Sequence, residues 1–194
     1  MQDKKLPQTP SQTIGPYFAY GLTAMQYGYG FSSVIDNNIV TEAGGEAAIY
    51  ITGNVYDGNG NTIHDAMIEL WQADANGDYV KKYLPELPFK GLGRYGTGTD
   101  AQHQFVFKTV KPGAVEGQAP HINVMLFMRG SLHVLYTRIY FEGDAANEND
   151  PLLLSVEPER RATLVALKIN NTTRQEYCFN IYMQGEKETV FFDL

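Results

Sequence analysis

Cysteine is almost missing from this chain: a single Cys178 in 194 residues cannot close an internal disulfide. Long apolar runs are missing too. No stretch approaches the roughly 20 residues that cross a bilayer, and Ile122 to Met128, the longest clear one, has the length of a buried strand. Basic residues are outnumbered, 15 Lys and Arg against 22 Asp and Glu, for a net charge of -7. That balance opposes the basic stripe that phosphate backbones select, so no nucleic-acid partner is expected, and no membrane partner either. The opening "MQDKKLPQTP" carries no apolar secretory core, and with one cysteine it points to a reducing cytoplasm. G-x-S-x-G, H-E-x-x-H and C-x-x-C do not occur, which removes the sequence basis for serine-hydrolase, zincin or dithiol chemistry.

What is present is strand material. Residues 47–57, 66–73, 104–110, 121–129, 132–142, 163–169 and 176–183 are β-branched and aromatic, and most are bounded by Gly, Asn, Asp or Pro. Seven such runs predict an all-β fold, a β-sandwich of two mostly antiparallel sheets. The stretch from Asp144 to Arg161 is rich in Ala, Glu and Leu with interrupting prolines, a connection expected to hold short helical turns. Residues 1–46 differ from the sandwich domain at 47–194: they are rich in Gly, Tyr and Asn and begin with prolines at 7, 10 and 16. They read as an extended N-terminal arm. "TIGPYFAYGL" holds more apolar surface than a free tail usually carries, so the arm is expected to dock on a partner subunit or on the sandwich rim.

Three loop-like motifs carry no ligand. Gly91-Leu92-Gly93-Arg94-Tyr95-Gly96 fits G-x-G-x-x-G, but neither a strand before it nor a helix after it is evident in "PELPFK" and "TGTDAQ", so it reads as a loop. "DGNGN" (57–61) and "DANGD" (74–78) resemble calcium loops. Their sixth positions are Thr62 and Tyr79 rather than Gly, and their twelfth are Ile68 and Pro85 rather than Glu, which makes both turns between strands.

The informative stretch is "QAPHINVMLFMRG" (118–130). On a strand, residues i and i+2 share a face about 6.6 Å apart, so H-x-H aims two imidazoles at one metal. Here the second position is Asn123, and a neutral amide is a far weaker transition-metal ligand. The strand supplies half of such a pair. His64, His103 and His133 show no ligand-like spacing. Alternation assigns Ile122, Val124, Leu126 and Met128 to the core face, and His121, Asn123, Met125, Phe127 and Arg129 to the other. Arg129, before Gly130 at the strand end, is either a two-pronged carboxylate binder or a surface ion-pair partner.

With "LPQTPSQTIGPYF", "NVYDGNG", "IELWQADANGDY", "GLGR", "TVKPG", "APHI", "RIYFEGD" and "GEKETVFFDL" in view, the chain from about Leu6 to Leu194 resembles the intradiol ring-cleaving dioxygenases. The likeness is to the α subunit of the two-subunit members. In the iron-bearing β subunit, the resemblance implies, ferric iron is held by two tyrosines and two histidines. Two of those positions match Tyr83 and His121 here. The other two fall on Val115, after Pro112-Gly113-Ala114, and on Asn123.

The resemblance therefore implies that this chain holds no metal and no catalytic residue of its own. Fe(III) would sit on a partner β subunit, in a higher oligomer of αβ units. The α chain would line the pocket for O2 and a small aromatic substrate with a carboxylate, through Thr13, Gly15, Pro16, Tyr17 and Arg129. Two other readings stay open: a self-sufficient enzyme recruiting ligands such as Glu69 or another Tyr to Tyr83 and His121, and a transthyretin-like sandwich used for binding or assembly alone.

Overall fold

A computed structural model describes residues 12–15, 17–41, 48–170 and 173–193. Among the described residues nine strands carry the fold: β1 (Ile49–Tyr56), β2 (Met67–Gln72), β3 (Leu92–Gly96), β4 (Gln104–Thr109), β5 (His121–Phe127), β6 (Leu135–Phe141), β7 (Val165–Ile169), β8 (Glu176–Cys178) and β9 (Ile181–Tyr182). Hydrogen bonding runs in the order β3-β2-β5-β6-β7-β8-β1-β4, with β9 beside β1. One layer is β3-β2-β5-β6 and the other β8-β1-β4. β7 joins them, parallel to β6 and antiparallel to β8, so the expected pair of sheets is one mixed path that curls over its own core. Its two ends meet: Tyr95 of β3 packs edge-on against Phe107 of β4, ring centroids 6.2 Å apart.

Alternation builds that core. Ile49, Ile51 and Val55 of β1, Phe105 and Phe107 of β4, and Ile122, Val124 and Leu126 of β5 all turn inward and are buried. Burying side chains of this size contributes roughly 1.5–3 kcal/mol each. Gly53 interrupts the β1 row because a Cβ there would lie 1.9 Å from the Phe179 carbonyl oxygen; only glycine admits the neighbouring chain so closely. The layers are also bolted by a buried polar pair. Thr109 Oγ1 donates to Gln72 Oε1 at 2.7 Å, and Gln72 Nε2 donates to the Val110 carbonyl at 2.9 Å, which ties β2 to the end of β4 with both polar side chains satisfied.

Three sequence expectations need correction. Residues 91–96 are not a loop: Leu92–Gly96 forms β3, paired along β2 from Trp71↔Leu92 to Met67↔Gly96. The glycines hid the strand by breaking its apolar pattern. A Cβ on Gly93 would come within 2.6 Å of Ile39 Cγ1, so close packing, not phosphate binding, accounts for that glycine. The run at 132–142 becomes a strand only from Leu135, and 176–183 splits into β8 and β9 around Phe179 and Asn180.

The asparagine and aspartate loops are turns, as expected. Asp57 accepts from the backbone N–H of Asn59 and Asn61, and Asp74 from those of Asn76 and Asp78, all at 2.8–3.0 Å. Between β6 and β7, 3-10 turns at Ala145–Asn149 and Arg161–Leu164 flank a short helix, α2 (Pro151–Ser155). Asp150 caps it by accepting from Leu153 N at 2.8 Å.

Of the first 46 residues, 1–11, Pro16 and 42–46 lie outside the described set. A helix of six residues, α1 (Tyr17–Leu22), follows Pro16. Further on, Ile39 N donates to the Lys108 carbonyl at 2.8 Å, and Ile39 is fully buried in the main core. Gln26 grips β3 as a short strand would: its Oε1 accepts from Gly96 N at 2.9 Å and its Nε2 donates to Gly96 O at 2.5 Å.

Candidate functional site

Strand β5 carries a polar cluster at each end. At its start, His121 is 2% exposed. Its Nδ1 lies 2.8 Å from the Ala119 carbonyl, and its Nε2 is buried without a partner among the described residues. The antiparallel register sets His121 opposite Tyr140 and Asn123 opposite Arg138. Arg138 Nε donates to Asn123 Oδ1 at 3.0 Å and its Nη1 to Gln118 Oε1 at 2.7 Å. Asn123 Nδ2 donates to the Tyr79 hydroxyl at 3.4 Å, and that ring stacks on Trp71, centroids 4.4 Å apart.

Beneath them Asp150, fully buried, accepts from Tyr140 Oη at 2.9 Å and from Ala119 N at 2.8 Å, in addition to its capping bond. Burial alone would push the Asp150 carboxyl up. The backbone N–H groups of Leu153 and Ala119, the Tyr140 hydroxyl and the Arg138 charge outweigh it and hold the group below its ordinary range. Burial also lowers the His121 pKa, with the Arg138 cation acting the same way against the Ala119 carbonyl and Asp150.

Ferric iron does not fit this donor set. The orphaned His121 Nε2 is a free lone pair, but its strand neighbour is an amide already bound to a guanidinium, and a second cation so near opposes a trivalent ion. The Tyr83 hydroxyl donates to the Val34 carbonyl at 2.9 Å. Burial, then the Asp36 charge, raises its pKa in spite of Arg94, whereas a metal-bound tyrosine must be a phenolate. Val115 offers no side-chain donor and pairs by backbone with Gln118. Glu69, considered as a replacement ligand, accepts from Arg94 Nε at 2.7 Å and lies 2.5 Å from its Nη2. Among the described residues no three His, Cys, Asp or Glu side chains converge as metal ligands.

The other end of β5 is open. Arg129 follows the strand by two residues, and its side chain is 52% exposed. The β2–β5 register ends at Met67↔Phe127; two residues further it sets Asp65 opposite Arg129, and Arg129 Nε donates to Asp65 Oδ2. The arm closes over this pair. Thr13 Oγ1 accepts from Gly130 N at 2.7 Å, and Phe18 of α1 packs on Phe127, centroids 5.5 Å apart.

Between arm and strand end lies a cavity of about 180 Å³ whose lining includes Gly15, Tyr20, Tyr27, His64, Asp65 and Arg129. A Cβ on Gly15 would meet nothing within 4 Å among the described residues, so that side of the residue faces open space, while its carbonyl accepts from Phe18 N at 3.2 Å. Burial, with Tyr20 and Asp65 nearby, raises the Tyr27 pKa and keeps that phenol protonated.

Of the residues singled out in the sequence, Thr13, Gly15 and Arg129 come together here. The α1 backbone begins at Tyr17, and Pro16 lies outside the described residues. Sequence reasoning missed Asp65, His64, Tyr20 and Tyr27 around the cavity, and Arg138, Gln118 and Asp150 around His121. Strand register is what would have found Asp65 and Arg138, since each faces a residue already noticed.

A cleft under an arm on an all-β frame, with a mixed path joining its two layers, defines a class that comparison with known proteins identifies. A profile described as Dioxygenase matches residues 15–185, and the chain belongs to that family. It is 48% identical, over 97% of its length and 98% of the other's, to the protocatechuate 3,4-dioxygenase alpha chain of Burkholderia cepacia. It is 34% identical, over 73% of its length and 66% of the other's, to the protocatechuate 3,4-dioxygenase beta chain of the same organism. The fold matches the dioxygenase domain of a dioxygenase carbohydrate-binding protein fusion from Streptomyces sp. SirexAA-E, with a TM-score of 0.64 and 24% identity over 95% of this chain and 100% of that one.

Proposed function

We propose that this chain is the alpha subunit of a protocatechuate 3,4-dioxygenase and lines the substrate pocket where it meets a beta subunit. The beta partner supplies the ferric iron, whose chemistry lets O2 open the ring between its two hydroxyl-bearing carbons, giving 3-carboxy-cis,cis-muconate. This chain's residues bind and orient. Arg129 takes the ring carboxylate, Thr13 fixes the loop beside it, and Gly15, Pro16 and Tyr17 wall the pocket. The αβ units assemble further in the cytoplasm, with residues 1–46 contacting the partner. Exposed Tyr20, Met25, Tyr29, Phe31 and Val34, all in one short stretch of that arm, support such a contact, since grouped apolar surface favours burial against another chain.

The observation that carries this reading is the guanidinium at the mouth of the arm cavity, just past the end of the strand whose start lacks a ferric donor set. The test is coexpression with a beta chain. Iron should track the beta chain and be absent from this chain purified alone. In the αβ enzyme Arg129→Ala should raise the KM for protocatechuate roughly tenfold or more, the loss expected of a charge-assisted hydrogen bond. Stoichiometric iron in the lone chain, or an unchanged KM, sinks the reading.

A further inference from the structure

We infer that Asp65 is a positioning residue: it fixes the Arg129 guanidinium through Nε so that the Nη groups are presented to a substrate carboxylate in the arm cavity. The inference rests on the pocket-lining role proposed above. Arg129 is long and half exposed, and an unrestrained arginine loses much rotamer freedom when it grips an anion. Asp65 removes that freedom beforehand. It stands on the turn entering β2, one residue ahead of the buried Ala66 and Met67, so its own backbone is held by the sheet, and its side chain is half as exposed as that of Arg129, 26% against 52%. The described hydrogen bond of the guanidinium uses Nε alone. A carboxylate needs two parallel N–H groups for fork-like recognition, and the Nη hydrogens remain for it.

The cavity agrees with an anion whose ring packs nearby. Tyr20 and Tyr27 stand edge to face, centroids 4.6 Å apart, beside Arg129, and a T-shaped aromatic pair offers a rigid apolar wall. The opposite expectation is equally physical. Asp65 is an anion itself, and if its field outweighed its orienting effect, its removal would tighten binding of another anion.

The experiment uses the αβ holoenzyme with Asp65→Ala, Asp65→Asn and Arg129→Ala, each assayed with protocatechuate and with a catechol lacking the carboxylate. Asn keeps an oxygen that accepts from Nε but drops the charge, so it separates orientation from electrostatics. Asp65→Ala should raise the KM for protocatechuate about five- to tenfold, less than the loss of a whole charge-assisted hydrogen bond, because Arg129 keeps its charge and loses only its orientation. The kcat and the KM for the carboxylate-free catechol should stay within about twofold, and Asp65→Asn should recover most of the loss. Asp65→Ala with an unchanged or lowered KM overturns the inference when Arg129→Ala still raises it. So does an Asp65→Asn variant as impaired as Asp65→Ala. If Arg129→Ala itself has no effect, the pocket reading has failed, and the positioning role goes with it.

Discussion

At the His121 end of β5, Asn123, Arg138, Gln118 and Asp150 are bonded to one another or to nearby groups, and among the described residues His121 Nε2 is the one buried side-chain nitrogen or oxygen there without a partner. At the Arg129 end, six residues beyond Asn123, the guanidinium is half exposed, meets one carboxylate through one nitrogen, and borders a cavity. Both flank one strand and follow its cross-strand register, yet one is closed and the other open. A polar network whose members satisfy each other around a buried carboxylate rigidifies the fold, whereas a charge with donors to spare beside a cavity is available to a ligand. The difference separates what holds this chain together from what it offers to others.

Removing Asp150 should break that contrast most visibly. Asp150→Ala strands the Tyr140 hydroxyl and the Ala119 N–H and uncaps α2, so it should cost about 3–5 kcal/mol in chemical denaturation. A cost under 1 kcal/mol would mean that water reaches the cluster and that the His121 end is not closed. Next in size comes Arg138→Ala, which frees Asn123 Oδ1 and Gln118 Oε1. Both acceptors are partly exposed and can find water, so about 1–2 kcal/mol is expected, with the KM for protocatechuate unmoved.

Acid should sharpen the comparison further. The His121 ring is buried neutral, with Arg138, Asp150 and Tyr140 its charged and titratable neighbours, and its folded pKa lies below the ordinary 6.5. The unfolded chain binds the proton first, so stability contributed by the neutral ring is intact above 6.5 and declines as pH falls below it toward the folded pKa. Asp150 acts in a lower window: its folded pKa is depressed, so its contribution holds above the ordinary 3.8 and is lost as pH falls through the folded value. Denaturation at pH 7 and pH 5 should show a loss that His121→Asn diminishes. Equal slopes in the two proteins would assign the acid sensitivity elsewhere.

Much of this was legible in the sequence because strands announce themselves by period. The two faces of β5 followed from alternation alone, and Ile122, Val124, Leu126 and Met128 are indeed the apolar residues it buries, with His121 buried on the other face. Strand β3 was not legible, since Gly91, Gly93 and Gly96 removed the side chains that carry the period. The closed network was half legible: Asn123 after His121 flagged a missing ligand, but Arg138 and Asp150 are 15 and 27 residues away, and register across β5 and β6 brings the first of them home. Asp65 was hidden for the same reason. Alternation says which face a residue takes, while pairing partners depend on where turns end.

The smallest predicted effect on stability tests whether the open end is open. Thr13 Oγ1 accepts from Gly130 N on an exposed face, where water replaces a lost partner at little cost, so Thr13→Ala should change stability by less than about 0.5 kcal/mol. Its consequence should lie elsewhere. That bond ties the arm to the residue after Arg129, and without it the guanidinium and the cavity wall lose a common reference. The KM for protocatechuate in the αβ enzyme should rise about two- to threefold while kcat holds, a modest loss of ground-state binding. If Thr13→Ala instead destabilises the chain as much as Arg138→Ala, the arm is as much a part of the folded core as the His121 network. The contrast between the two ends of β5 would then be one of exposure alone.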